Sequence, residues 1–576
     1  MVVYAVRSAQ AVRSARAAWS SAMTAPRCSA KVGPHHIAID LTPILPRSES
    51  GGAKLVALTL VRQLGRLAPG CKFTLLTLTQ NHNELSMLDA ENVKRLRVDG
   101  ENRTLKLSTA DGRIGADARG HGRQVLRSIG ADLLFCPLTA PTFHDPRSPV
   151  VSVVYDLQHL RFPKFFTSTE RAVRARQLAE TAKVADRIVC ISDFTRSTLI
   201  RDIDVRGEQA VTIPVAYAGS LNRSFGSRDT SILGRLGIEA RRFLLYPANF
   251  WPHKNHRLLL AALALYRARH PRSDLALVCT GSPGRHMDEV RNVAHRAGVG
   301  PWVRFPGFVT DAELAALMEA SLALIFPSLY EGFGMPILEA MAFGTPVLSS
   351  NAASLPEVVG DAALQFDPNR PVEMMDAIEA IERDSNLRAE LVERGRARLA
   401  AFDDLDGMAR CYLELFRQVV GGPHVLADRL YGVDADGWSG ERLIVTYAPS
   451  PRERYLDAVL TAPAWLPYGE AGAQVVTDSP DKGETFLIRP GRFVRITRPL
   501  LPDGGWIDIA FDRLFRPRAY GLSADSRMLG CVVQACSIVS GTESIDLLND
   551  LRWATRGGAD TPIRGANQAF PDGHET

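Results

Sequence analysis

Ser328-Leu-Tyr-Glu331-Gly-Phe-Gly-Met-Pro336-Ile-Leu-Glu339-Ala-Met-Ala-Phe-Gly344-Thr-Pro346-Val347 follows the apolar run Leu322-Ala-Leu-Ile-Phe326, which Pro327 closes. A continuous apolar run of that length predicts a short buried strand. Gly332 and Gly334 predict a loop that turns sharply and lets its backbone approach a ligand. Pro336 suits the first position of a helix, and Gly344 the point where that helix stops. Strand, glycine loop and helix N-terminus therefore follow one another. Such a terminus offers unpaired N–H groups and the positive end of the helix dipole, which favours phosphates. Glu331 at the loop start and Glu339 one turn into the helix are unsuited to a phosphate, but both accept hydrogen bonds from sugar hydroxyls. The combination points to a ligand carrying phosphate and sugar; the plainer alternative is a strand–turn–helix unit with two surface glutamates.

The segment from about Ser328 to Ser350 resembles the signature of retaining glycosyltransferase family four, the group 1 glycosyltransferases, whose fold is GT-B. The resemblance covers residues 31–420 and is densest over 243–365. It implies an α/β fold, with two Rossmann-like domains facing a cleft, and a mannosyltransferase-like activity on a nucleotide sugar. It assigns Glu331 to the donor sugar and Glu339 to the nucleotide ribose, with Gly332, Phe333, Gly334, Met335, Pro336 and Ile337 also at the donor.

Earlier loops of the same unit point to the same place. Phe243-Leu-Leu-Tyr246 reads as a strand, followed by Pro247-Ala-Asn249-Phe-Trp251-Pro-His253-Lys254-Asn-His256 and an apolar helix over 257–267. Lys254 then stands at the carboxyl-end rim, where an ammonium neutralises a diphosphate leaving group. The family usually carries an Arg five positions before this Lys; here that position is Asn249, and His253 or His256 is the candidate for a second positive donor. Gly281, in the turn after Leu275-Ala-Leu-Val-Cys279, is a candidate nucleotide-facing glycine. Phe308 and Val309 stand where related enzymes hold the base. Loops around 249–255, 280–285, 307–309 and 328–339 are thus expected at one cleft edge.

The N-terminal half alternates similarly. Apolar runs at 36–40, 72–78, 131–136, 150–155 and 187–191, separated by helical stretches, predict a parallel sheet covered on both faces. Asp156 and His159, just beyond the 150–155 strand, occupy the carboxyl-end position where open α/β sheets bind ligands. The family often has a His before this Asp, whereas Tyr155 stands here. His159 is either a catalytic imidazole or a structural histidine of the loop. Gly51-Gly52, ahead of a helix expected from about Ala53 to Leu67, either admits an acceptor or phosphate or is a plain turn. Ser192 in Ser192-Asp-Phe-Thr-Arg196 reads as an N-cap and not as a nucleophile; no Gly-x-Ser-x-Gly elbow supports a hydrolase.

After Gly421-Gly-Pro-His the pattern changes to short strands with Gly/Pro turns, which predicts an all-β sandwich-like domain. The expected organisation is a basic extension over 1–30, a Rossmann-like acceptor domain over 31–225 and a Rossmann-like nucleotide-sugar domain over 226–400. A crossover helix and linker over 401–426, the β-domain over 427–545 and a polar, mobile tail over 546–576 complete it. Trp438, Trp465, Tyr468 and Trp506 form either a sugar-stacking platform or core. An Asp525–Arg527 pair is a candidate turn-fixing ion pair.

The net charge of +5 is supplied entirely by Arg7, Arg13, Arg16, Arg27 and Lys31, so the remaining 545 residues are neutral overall and offer no nucleic-acid footprint. The acid-free start resembles a transit peptide or basic helix; a disordered extension, with Met23 as an alternative start, is the simpler expectation. No apolar run approaches the ~20 residues of a membrane span, which leaves peripheral contact open. Eight scattered cysteines without a CxxC pair fit a reducing cytoplasm and no zinc site. Asp202-Ile-Asp204 and Asp434-Ala-Asp436 lack the setting of a metal–nucleotide site.

The expected function is transfer of a hexosyl group, with retention, from a GDP- or UDP-linked donor. The acceptor is a glycan or lipid-linked saccharide in cell-surface polysaccharide synthesis, made in the cytoplasm or on the inner membrane face. No cofactor and no metal are expected. The rival readings are a non-catalytic carbohydrate-binding or scaffold protein on the same fold, and a storage-glucan synthase. The second would present a Lys before the Gly-Gly loop, where Ser48-Glu-Ser50 stands.

Overall fold

The computed structural model describes residues 33–45, 51–99, 124–141, 143–203, 205–217, 219, 228–421, 428–433, 437–464, 471–477, 484–515 and 529–548. The basic extension, Trp465, Tyr468, Asp525, Arg527 and most of the tail lie outside them.

Strands β1 (His36–Asp40), β2 (Lys72–Thr77), β3 (Val93–Arg97), β4 (Leu133–Cys136), β5 (Val150–Val154), β6 (Arg187–Cys190) and β7 (Ala210–Thr212) form a parallel sheet in the order β3-β2-β1-β4-β5-β6-β7. Successive residues of its central strands feed two cores. Ile37, Ile39, Phe135, Val151 and Val153 face one, and Ala38, Leu134, Cys136, Val150 and Val154 face the other. That division is why these strands read as continuous apolar runs. A second parallel sheet runs β10 (Val303–Gly307), β9 (Ala276–Thr280), β8 (Phe243–Pro247), β11 (Ala323–Phe326), β12 (Val347–Ser350), β13 (Leu364–Phe366). These two Rossmann-like sheets give the GT-B architecture. The chain direction across each sheet reverses once, between β1 and β4 in the first and between β8 and β11 in the second. Such switch points open a crevice at the strands' carboxyl ends.

Six helices matter here: α1 (Gly51–Leu67), α2 (Ser168–Val184), α3 (Asp193–Asp202), α4 (His256–Arg269), α5 (Met335–Ala342) and α6 (Leu405–Gly421). Helix α6 crosses back to the first sheet. It buries Leu405, Met408, Ala409, Tyr412, Leu415, Phe416 and Val419 at helical spacing. The Tyr412 and Phe416 rings lie 5.5 and 5.0 Å from that of Phe135 on β4. The cores of both α/β units are continuous through this helix.

The C-terminal domain is a sandwich of two antiparallel sheets. One is β14 (Arg429–Val433), β15 (Ser439–Tyr447), β20 (Gly505–Phe511), β17 (Ala471–Thr477), β18 (Glu484–Ile488); the other is β19 (Phe493–Pro499), β16 (Tyr455–Thr461), β21 (Val532–Ser540), β22 (Glu543–Asp546). Leu443, Val445, Ile507 and Ile509 share one core with Leu456, Ala458, Leu460, Ile496 and Ile538. The domain docks on the first α/β unit. Buried Asp508 receives Arg442 at 2.7 Å from its own domain and Arg127 at 3.3 Å from the other, and Arg147 lies 4.9 Å over the Trp506 ring.

Several expectations are corrected. Helix α1 begins at Gly51, so both glycines are its first turn and not the loop before it. Strands β3, β7 and β14, short or bearing charges, escape periodicity. The last long strand starts at Val532, while Leu529 ahead of it bridges to Phe515. Leu547 and Leu548 are buried in the β-core, so the sandwich runs past residue 545 into the expected tail. Trp438 packs edge-on against Phe515; with Trp506 at the domain junction, neither stands as a free stacking platform. No helix among the described residues is long and apolar enough to cross a membrane. Their seven cysteines are free thiols.

Candidate functional site

The loops after β8, β9, β10 and β11 leave the carboxyl ends of the second sheet. Because β8 pairs with β11, the loops after those two strands are neighbours. The first carries Lys254, the second Glu331, and Lys254 Nζ lies 2.6 Å from Glu331 Oε1 with both side chains largely buried (18% and 13% exposed).

The pairing is held from the backbone. Tyr246 Oη donates to the Lys254 carbonyl at 2.6 Å, and the Leu329 N–H donates to the His253 carbonyl at 2.8 Å. Asn255, at φ +62°, ends the short 252–254 turn. Its Nδ2 donates to the carbonyls of Pro327 at 3.1 Å and Pro368 at 2.7 Å. Asn tolerates that left-handed conformation better than most residues. Ser354 Oγ donates to the carbonyls of Glu331 and Phe333 at 2.9 and 3.2 Å. Gly334, at φ +115°, is the N-cap of α5, and a Cβ there would meet Leu355 at 2.8 Å. Pro336 lies in the first turn, while Phe333 and Ile337 are buried beneath it. Met335 is half-buried. Glu339 follows one turn later. Although part of its side chain reaches solvent, burial, with the Asp311 charge adding, pushes its carboxyl up to about 7.

Gly281 lies against β8: a Cβ would stand 2.6 Å from the Ala248 carbonyl oxygen, and its N–H donates to Gly307 at 3.0 Å. Asn249 Oδ1 accepts from the Ser282 N–H at 2.9 Å, so this side chain ties the two loops together. Val309 is buried and Phe308 is 68% exposed at the end of β10.

Neither histidine supplies the second positive charge. His256 is wedged between Tyr246 and Phe250, ring centroids 4.6 and 4.7 Å away. Burial, reinforced by Lys254, holds both His256 and His253 down at about 3, so they are neutral imidazoles.

The first unit closes over this edge. A Cβ on Gly332 would stand 2.0 Å from the Tyr155 carbonyl oxygen and 3.4 Å from Asp156 Cβ. Asp156 Oδ1 accepts from the Gln158 N–H at 3.0 Å, and Arg174 of α2 reaches it at 3.8 Å. His159 is buried with both ring nitrogens lacking a partner among the described residues, and burial holds it at about 4. Tyr155 Oη donates to the Ala53 carbonyl at 3.4 Å, which places Gly51 and Gly52 beside the same crevice. Ser192 is the N-cap of α3.

Sequence reasoning passed over two residues that join the halves and a third that stands beside the seam. Tyr330 Oη accepts from the Leu157 N–H at 3.2 Å, and its ring packs edge-on to Phe162 and Phe194. Glu357 accepts from the Phe194 N–H at 3.5 Å at the start of α3, and burial raises its carboxyl to about 7. Arg174, on the first unit beside Asp156, is the third. An aromatic next to Glu331 was a signal for the first; the others needed coordinates.

Residues 231–398 match the family described as Glycosyl transferases group 1. Over 246 residues the chain is 33% identical to O-antigen chain mannosyltransferase B of Escherichia coli, covering 42% of this chain and 62% of that protein. It is 30% identical over 233 residues to the serotype-specific mannosyltransferase WbdA of Escherichia coli, covering 39% of this chain and 28% of that one. The chain thus spans less than two thirds of either relative. Among solved structures, Anabaena HepE in complex with UDP and glucose aligns at TM-score 0.52 and 18% identity, over 66% of this chain and 99% of that one, a likeness of fold.

Proposed function

We propose that this chain, with its group 1 glycosyl transferase module at residues 231–398 on a GT-B fold, is a retaining hexosyltransferase. It moves a mannose-like group from a GDP- or UDP-linked donor to a glycan or lipid-linked saccharide in cell-surface polysaccharide synthesis, working in the cytoplasm or peripherally at the inner membrane face. The observation that carries the reading is the Lys254–Glu331 pair at the second sheet's switch point, beside the N-terminus of α5. The two mannosyltransferase relatives support the sugar and the pathway.

The donor diphosphate lies at the α5 terminus and draws Lys254 away from Glu331, since a diphosphate outcompetes one carboxylate for the ammonium. Glu331, released, accepts from a sugar hydroxyl, and Glu339 accepts from the ribose. The bond between the anomeric carbon and the phosphate oxygen then breaks. The acceptor hydroxyl forms its new bond on the face the diphosphate leaves, and its proton passes to the departing phosphate oxygen. Lys254 and the helix dipole stabilise the charge that develops there. Asp156 and the buried, neutral imidazole of His159 line the first-unit wall beside the sugar, and Gly51 and Gly52 admit the acceptor. The reading calls for no resident cofactor and no metal, because the nucleotide sugar is a substrate.

The test is a panel of GDP- and UDP-linked sugars, scored by rise in melting temperature and then, with a saccharide acceptor, by nucleoside diphosphate release. Donor binding stabilises the native state by mass action. A chain that binds none and releases none is not this enzyme.

A further inference from the structure

Among the described residues of the loops after β8 and β11, Lys254 is the one cationic lysine or arginine side chain. Lys254 is itself paired, Asn249 is uncharged and occupied with Ser282, and His253 and His256 are neutral. A diphosphate carries more negative charge than one ammonium and a helix dipole balance.

The opposite wall carries a guanidinium. Arg174 stands on α2, whose buried side chains are Leu178 and Thr181. It is 46% exposed, 3.8 Å from Asp156 Oδ1, and lies 4.9 Å over the Phe166 ring. Asp156 in turn abuts Gly332, the residue after Glu331. At that length and exposure the Arg174–Asp156 pair is weak, so the side chain is available to a better anion. Its charge reaches the facing loop: it helps to depress the imidazoles of His159 on its own unit and of His253, the neighbour of Lys254.

We propose that Arg174 is the second cation of the donor site. It leaves Asp156 and closes on the donor's diphosphate from the first α/β unit, presenting a planar fork suited to phosphate oxygens. The inference rests on the donor reading above. Because α2 and α5 belong to different units, the contact also makes nucleotide binding hold the two together.

The experiment is calorimetric titration of the full chain with GDP and with UDP, and with guanosine and uridine as phosphate-free controls. R174A should bind the preferred nucleoside diphosphate about ten-fold more weakly than the native chain, R174K should recover part of that loss, and the nucleoside controls should be unchanged. Equal affinity of native chain and R174A for the diphosphate, or an equal loss with the nucleoside, overturns the assignment. A native chain that binds neither GDP nor UDP overturns the donor reading itself. The residue is exposed on its helix, so unchanged melting temperatures for R174A and R174K are expected to accompany these results.

Discussion

Lys254 and Glu331, 77 positions apart in sequence, meet at 2.6 Å because β8 and β11 are hydrogen-bonded neighbours at the point where their sheet's winding reverses. Neither charge would be tolerated so far from water alone, and each holds the other in place. The pair is therefore charge-balanced, and an arriving diphosphate has a carboxylate to displace.

K254A and E331A should each lower transfer by at least about 10²-fold, the scale for losing one group that stabilises developing charge. Each single change also strands a largely buried partner, at a cost on the order of 3 kcal/mol. The double variant K254A/E331A should then be less destabilised than the sum of the two. Urea unfolding of the four proteins checks the coupling; strictly additive losses would show that the pair is not an interacting unit.

Glu339 should make nucleotide binding depend on pH. Its carboxyl, like that of Glu357, is raised from 4.5 to about 7 chiefly by burial. The folded chain therefore holds these protons more tightly than the unfolded chain. The stability they confer is full below about pH 4.5 and is lost as the pH rises through about 7. Only the carboxylate is a pure acceptor for ribose hydroxyls, so nucleoside diphosphate affinity should increase from pH 6 to pH 8 with release of a proton. E339Q should flatten that slope while leaving Glu357's share of the stability profile. An unchanged slope in E339Q would assign the proton elsewhere.

Gly332 and Gly52 make a paired test of the crevice. A methyl group on Gly332 would overlap the Tyr155 carbonyl oxygen at 2.0 Å, backbone against backbone. G332A should push the two units apart and depress transfer strongly, with increased radius of gyration in small-angle scattering. Gly52 is in the first turn of α1 with nothing within 4 Å of the position of a Cβ. G52A should be neutral or up to about 1 kcal/mol stabilising. Full transfer by G332A would sink the closed arrangement.

Much of this was legible before any coordinates. Continuous apolar strands, Pro336 at a helix start and glutamates eight apart announced the second sheet, its glycine loop and the helix beyond. Charge state was not legible: His253 and His256 look like candidates for a cation until their burial is known. Arg174 and Glu357 were opaque for another reason, and Tyr330 offered only its place beside Glu331. Their role depends on how one unit faces the other, which leaves no periodicity in either segment. The β-domain's docking was hidden likewise, since Asp508 falls within an ordinary strand pattern and finds Arg127 381 positions away.

That junction makes the last test. Asp508 is 2% exposed and receives Arg442 and Arg127, while Arg127 and Arg147 share buried Asp145. Removing the carboxylate leaves two guanidinium groups facing each other across the domain boundary. D508A should cost on the order of 3 kcal/mol, the lower end for breaking a buried pair because Arg442 keeps some contact with water. The loss should be local. The β-sandwich has its own hydrophobic core, so D508A should show an added, earlier unfolding transition and faster limited proteolysis between the units. Donor-nucleotide affinity should stay unchanged, because Arg127 and Asp145 precede β4 and β5, at the amino ends of strands whose carboxyl ends face the crevice. A single unshifted transition would mean that the sandwich does not depend on this network for its place. Loss of nucleotide binding would mean that the network reaches the donor crevice.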